Sequence, residues 1–186
     1  MARVSQAQAR ENRERVVRTA ARLFRERGVE GVSVADLMSA AGLTHGGFYK
    51  QFPSKDALVA EATGRAFRDQ RGRLDALEER HPGDHEAARR EFVATYLSAQ
   101  HRDDAGNGCP AAGLGPDVAR EGPQGAAHEP YARGVEHFAR WMAGGDDEDL
   151  AAVATMVGAL LIARATSGTP LSDRVLAAAR ESLDTP

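Results

Sequence analysis

The stretch from Ser33 to Lys55, SVADLMSAAGLTHGGFYKQFPSK, constrains this chain more than any other, because it calls for two short helices and a tight turn within 23 residues. Ser33 and Asp36 have the S-x-x-D spacing of a capping box, in which each side chain satisfies an orphan amide at a helix start. Val34, Leu37, Met38 and Ala41 recur at i, i+3, i+4 and i+7, giving a short helix one apolar face. Gly42 suits the left-handed stop after that helix, a conformation costly for residues with a β-carbon. Thr44 stands where it can cap a second short helix. Two short helices joined by such a turn can lay the second in the major groove of DNA.

The predicted second helix has an unusual composition. Gly46 and Gly47 sit back to back within it, each costing roughly 1 kcal/mol of helix propensity relative to Ala. A helix kept only for packing has no use for both, whereas a backbone that approaches phosphates or base edges does. Phe48 and Phe52, four apart, anchor its inner face, while Tyr49 and Lys50 lie off that stripe and can reach phosphate oxygens. The alternative is a Gly-rich connecting loop carrying two core aromatics. The capped helices predicted on both sides argue against it.

Charge is informative only once the chain is divided. Residues 1–70 carry a net +4 and residues 71–186 a net −7, so a basic head sits on an acidic body. Lysine occurs only as Lys50 and Lys55, both in the head. The single cysteine, Cys109, excludes an internal disulfide framework and suits a reducing cytoplasm. No run of 18 apolar residues is present and the charged N-terminus lacks an apolar core, so neither a membrane span nor a secretory signal is expected.

The rest of the chain reads as helix. Val16, Val17, Ala20, Ala21 and Phe24 form one stripe from about Gln6 to Gly28. Arg3, Arg10, Arg13, Arg15 and Arg18 crowd its start, as either a DNA-contacting arm or a solvated basic face. Ser54 caps a long helix ending at the breaker His81-Pro82-Gly83, and Asp84 opens another that reaches about His101. Between Asp103 and Gly125 a Gly/Pro-punctuated region leaves room for a short helix near Pro116–Arg120. Tyr131, Val135, Phe138 and Met142 mark the next helix, ended by Gly144-Gly145.

From Leu150 to Ala165 the chain is apolar nearly all round, so that helix should be buried on both sides. A small body covers one side, and a second subunit should cover the other. Leu171, Val175, Ala179 and Leu183 give the last helix a narrow stripe. Val157, Leu160, Leu161, Val175 and Ala179 are therefore the candidate dimer residues. Phe67, Phe92, Tyr96, Tyr131, Phe138 and Trp141 lie on helices between the head and that surface. Phe67, Phe92, Tyr96, Phe138 and Trp141, with Cys109, are candidates to line an effector pocket.

Catalytic and metal-binding patterns are poor. Pro82-Gly83 interrupts the helix that would align His81 with His85, and His128 and His137 lack a ligand spacing. No phosphate-binding Gly-rich motif follows a strand, and no strand pattern exists. No catalytic residue, metal or cofactor is expected. Cys109, ahead of Pro110 at a predicted helix start, is either a reactive thiolate or a small buried hydrophobe.

Leu37, Ala41, Gly42, Thr44, Gly46, Tyr49, Phe52, Ser54, Lys55 and Leu58, at these spacings, resemble the DNA-binding domain of TetR/AcrR-type transcriptional regulators. The resemblance runs from about Arg10 to Ala62. Gly47, Gln51 and Met38 depart from the Thr or Ala, His, and Ala common there. The segment from Gly108 to Asp117 is similar to a stretch found in one subgroup. The resemblance implies an all-α chain, with a three-helix DNA-binding domain over residues 1–53 and a helical effector-binding and dimerisation domain over 54–186. It also implies a cytoplasmic homodimer whose two C-terminal helices form a four-helix bundle. Such a dimer, most often a repressor, would bind a palindromic operator in double-stranded DNA and be released by a small molecule. Ser33, Thr44, His45, Gly46, Gly47, Tyr49, Lys50 and Lys55 are the expected DNA contacts. A helical small-molecule-binding protein or enzyme with a vestigial head is the rival reading.

Overall fold

A computed structural model describes residues 6–184, which form nine α-helices and one 3-10 turn with no strand among them. Arg3 lies outside the described residues. The helices are α1 (Gln6–Arg27), α2 (Val34–Ala40), α3 (Lys55–Arg80), α4 (His85–Tyr96), α5 (Ala99–Asp103), α6 (Pro110–Glu121), α7 (His128–Ala143), α8 (Leu150–Ala165) and α9 (Pro170–Asp184). None is long and apolar enough to cross a membrane.

Local chemistry sets most of the boundaries. Ser33 and Asp36 form the full capping box of α2, and Gly42 takes φ +67 behind it. Ser54, Asp84, Ser98 and Asp149 each accept a backbone amide at the start of α3, α4, α5 and α8. Gly144, at φ +74, stops α7.

Three expectations are corrected. The second helix of the N-terminal motif is only a 3-10 turn, His45–Gly47, and Thr44 makes no side-chain cap. Turn hydrogen bonds from Gln51 and Phe52 to the Phe48 carbonyl carry the chain onward. The low propensity of adjacent glycines wins over helix continuation there. The helix expected from Asp84 to His101 breaks at Leu97, and Ser98 caps α5 separately. The short helix placed near Pro116–Arg120 is the twelve-residue α6.

Gly113 and Gly115 account for the difference in α6, because their missing side chains permit close packing. A β-carbon at Gly113 would lie 2.9 Å from Arg25 of α1, and one at Gly115 would lie 2.7 Å from the Tyr131 hydroxyl of α7. With Ala111, Ala112, Leu114 and Val118 buried, tertiary packing overrides the Gly/Pro signal.

Two cores result. The head core gathers Val16, Phe24, Leu37, Met38, Phe48 and Phe52, and extends into the first half of α3 and onto Leu114 and Val118 of α6. The body core joins α3, α4, α7, α8, α9 and the start of α6, through Ala111 and Ala112, around Leu74, Tyr96, Phe138, Met156 and Leu160. Helices α3 and α6 therefore belong to both.

Candidate nucleic-acid interface and effector cavity

The N-terminal motif turns its polar and glycine residues outward. Phe48 and Phe52 are buried with ring centroids 5.4 Å apart, and fix the turn to the head core. The intervening Tyr49 is 67 % exposed, and Thr44, His45, Gly46 and Lys50 are exposed with it. The rings of His45 and Tyr49 meet edge to face at 6.4 Å. A β-carbon at Gly46 would meet nothing, and one at Gly47 would make only ordinary contact with Met38. The fold itself thus does not require either glycine.

Not every candidate on this side is free. The Lys55 ammonium donates to the Val29 carbonyl at 2.7 Å, tying α3 to the α1–α2 turn rather than standing clear for a phosphate. Arg13 is paired with Glu61 of α3 and lies 4.6 Å over the Phe52 ring, so it braces the head. Ser33 is engaged in its cap, where its hydroxyl and amide hold the Asp36 carboxyl below its ordinary value.

In the body, a cavity of about 410 Å³ opens between α3, α4, α5 and the start of α6. Of the expected pocket residues, Phe92, Tyr96 and Cys109 line it. Phe67 and Phe138 line a separate cavity of about 190 Å³, and Gln70 touches both. Trp141 lines neither of these, packing instead against Phe92 and His85 with centroids 5.1 Å away. Sequence reasoning missed Gln70, Arg73 and His101. Gln70 had a legible signal, since it interrupts the apolar stripe of Phe67, Leu74 and Leu77.

The wall nearest the head is α5 and the segment joining it to α6, held by three arginines from three helices. Arg25 of α1 donates through Nε and Nη2 to the Gly106 carbonyl at 2.9 and 2.6 Å. Arg73 of α3 donates to the Asn107 carbonyl at 2.7 Å, and Arg164 of α8 to the carbonyls of Arg102 and His101 at 3.0 and 3.1 Å. Burial and the neighbouring Arg73 push Arg25 down to about 10. Farther along α6, the buried Asp117 carboxylate accepts the Val29 amide at 2.9 Å. The head is therefore joined to the cavity wall at Gly106, before α6, and to α6 itself at Asp117.

His101 locks the mouth of α6. Its Nδ1 donates to the Tyr96 carbonyl at 2.7 Å and its Nε2 accepts the Cys109 amide at 3.0 Å, which requires a neutral ring. Burial lowers its pKa from the ordinary 6.5. The unfolded chain therefore takes up this proton first as pH falls, so stability is complete above about pH 6.5 and declines below it. His137 is shifted in the same direction by burial and adds to the slope. Thermal melts between about pH 7.5 and 5.5 should show that decline, and His101→Gln should flatten part of it. An unchanged slope in the variant would mean that His101 is not held neutral.

Cys109 is a buried free thiol at the N-cap of α6. Burial pushes its pKa up, which favours, of the two readings, the small buried hydrophobe on the cavity wall. Tyr96, also buried, is raised well above its ordinary value for the same reason.

The candidate dimer residues divide. Leu160 is fully buried and Ala179 nearly so within the protomer core, which corrects their placement on an outer surface. Leu161 and Ile162 are exposed on α8, and Leu171 on α9. Val157 and Val175 are half-buried between these faces.

Residues 16–62 match the family model described as bacterial regulatory proteins of the tetR family. The head is a TetR-family domain. It is similar to the HTH-type transcriptional regulator AcrR of Shigella flexneri, with 38 % identity over 61 residues, or 33 % of this chain and 28 % of that protein. The chain thus matches under a third of that relative's length. Solved structures resemble the whole fold. The reduced form of NemR from E. coli has TM-score 0.70 and 22 % identity, covering 94 % of this chain and 95 % of that one. A TetR-family transcriptional regulator from Cytophaga hutchinsonii has TM-score 0.73 and 19 % identity, covering 96 % of each chain. The head match and the all-helical fold shared with these solved structures together span the described chain.

Proposed function

We propose that the chain is a ligand-responsive transcriptional regulator, a repressor that binds a palindromic operator as a homodimer and leaves it when a small molecule fills the body. One observation carries the DNA-binding part. The His45–Lys50 turn offers exposed His45, Tyr49 and Lys50 beside a glycine that no intramolecular packing requires. Residues 1–53 serve as the DNA-binding unit and 54–186 as the effector and dimer unit, with the first half of α3 shared in the head core.

An isologous pairing of the outer α8–α9 faces would set two heads apart, and half-sites about 34–36 Å apart fit such a dimer. An effector acts by favouring a head spacing that no longer matches them. The reading places the protein in the cytoplasm with its DNA.

A mobility shift on the DNA flanking the gene tests this reading, and failure to retard that DNA at low salt would remove it. Lys50→Ala is expected to weaken every sequence alike and to reduce the salt slope by about 1, as loss of one phosphate contact does. His45→Ala should instead change sequence preference, since it lies at the start of the exposed turn. An unchanged slope in Lys50→Ala would mean the turn does not meet the backbone.

A further inference from the structure

The cavity between α3 and α5 has a chemical bias beyond its aromatic wall. Two polar side chains that line it make no hydrogen bond to a nitrogen or oxygen among the described residues: the amide of Gln70, a residue 6 % exposed, and the hydroxyl of Tyr96, 3 % exposed, whose only hydrogen-bond neighbour is the weakly accepting Cys109 thiol. Tyr96 stays protonated and can donate, while an amide can donate and accept. Buried groups of this kind are costly to leave unmatched.

The charge around the cavity is positive. Of its lining cations, Arg80 is paired with Glu91, but Arg73 has no carboxylate partner and binds only the Asn107 carbonyl. The lining carboxylate, Asp104, is occupied by the amide and side chain of Asn107 at 3.1–3.3 Å. His101 is neutral. Behind the wall, Arg25 and Arg164 bind only carbonyls, and Asp69, the other acid near Arg25, is paired with Arg65. Three guanidiniums thus surround residues 101–108, whose two carboxylates are both engaged, Asp103 by Arg102 and Asp104 by Asn107.

We propose that this cavity takes a planar aromatic acid bearing a further hydroxyl or carbonyl on its ring. The carboxylate meets Arg73 at the exposed mouth, and the ring packs against Phe92 and Tyr96, whose own rings are 5.5 Å apart. The ring substituent matches Gln70 and the Tyr96 hydroxyl. A volume of about 410 Å³ is within the range of small-molecule sites and accommodates one or two fused rings. The inference rests on the effector reading above and names its ligand class.

Calorimetric titration with 6-hydroxy-2-naphthoate, its carboxamide and 2-naphthoate tests it. The hydroxy acid should bind, the neutral carboxamide about tenfold more weakly, and the acid lacking the hydroxyl measurably more weakly as well. Arg73→Gln should erase the preference for acid over amide, and Tyr96→Phe should erase the preference for the hydroxylated ring. Thermal melts of both variants check their folding. Equal binding of acid and amide by the wild type, no binding of either, or an equal loss for both in Arg73→Gln would overturn the assignment. A protein that retards operator DNA but ignores these acids removes only the ligand class. One that binds the acid but no DNA removes only the regulatory reading.

Discussion

Leu161→Glu and Val175→Glu are expected to give folded monomers that bind a full palindrome about 100-fold or more weakly than the native protein. Leu161 is 37 % exposed and Val175 half-buried on the outer side of α8 and α9, so a carboxylate there can reach water in a single protomer. Inside a dry interface the same carboxylate has no partner, and an unpaired buried charge costs about 3–5 kcal/mol. The neighbouring exposed positions on α8 are Ala151, Ala154, Ile162 and Ala165, which offer no cation to relieve it. Leu160→Glu is the contrasting change, because that side chain is fully buried in its own protomer and the charge would unfold it. Light scattering separates the outcomes. Dimers of native affinity in both Leu161→Glu and Val175→Glu would place the interface elsewhere.

Helix α8 also shows where sequence reading succeeds and stops. Its limits, Leu150–Ala165, are those of the apolar run read from the sequence, and Asp149 caps its start. Which face turns inward does not follow, because a helix apolar on every side has no period to report. Leu160 and Leu161, adjacent in sequence, end up on opposite sides of the protomer surface. Helix α6 fails for another reason. Gly113, Gly115 and Pro116 carry a strong local signal for a loop, and only contacts with Arg25 and Tyr131, far away in sequence, reveal them as packing positions.

The cavity was legible in part. Phe92 and Tyr96 are large residues on a helix-period stripe, and such stripes face interiors, whereas Cys109 sits off any stripe at the N-cap of α6. Arg73 and His101 gain their roles from backbone groups that no spacing rule connects to them. Arg73 reaches Asn107, and His101 closes onto Cys109 across the turn between α5 and α6. Capping signals, by contrast, are local, and those at Ser33 and Ser54 were recoverable because donor and acceptor lie three residues apart.

Phe48→Ala should cost the head about 3–5 kcal/mol and abolish operator binding, while the α8–α9 dimer persists. The recognition segment has little helix of its own to hold it. Beyond the 3-10 turn at His45–Gly47, its backbone is carried by the hydrogen bonds of Gln51 and Phe52 to the Phe48 carbonyl. Adjacent glycines supply almost no intrinsic order, so anchoring falls to Phe48, fully buried against Phe52 and the α1–α2 core. Truncation leaves a cavity beneath the exposed Tyr49, whose ring now stands edge-on to Phe48 at 5.1 Å. Both the turn and the side chains proposed to meet DNA would then lose their fixed position. Tyr49→Ala is the control, because an exposed ring can be removed with little effect on folding. Denaturation monitored by circular dichroism, run beside mobility shifts and light scattering, separates head stability from assembly. A Phe48→Ala protein that retained native operator affinity would show that the exposed turn is not the DNA-reading surface.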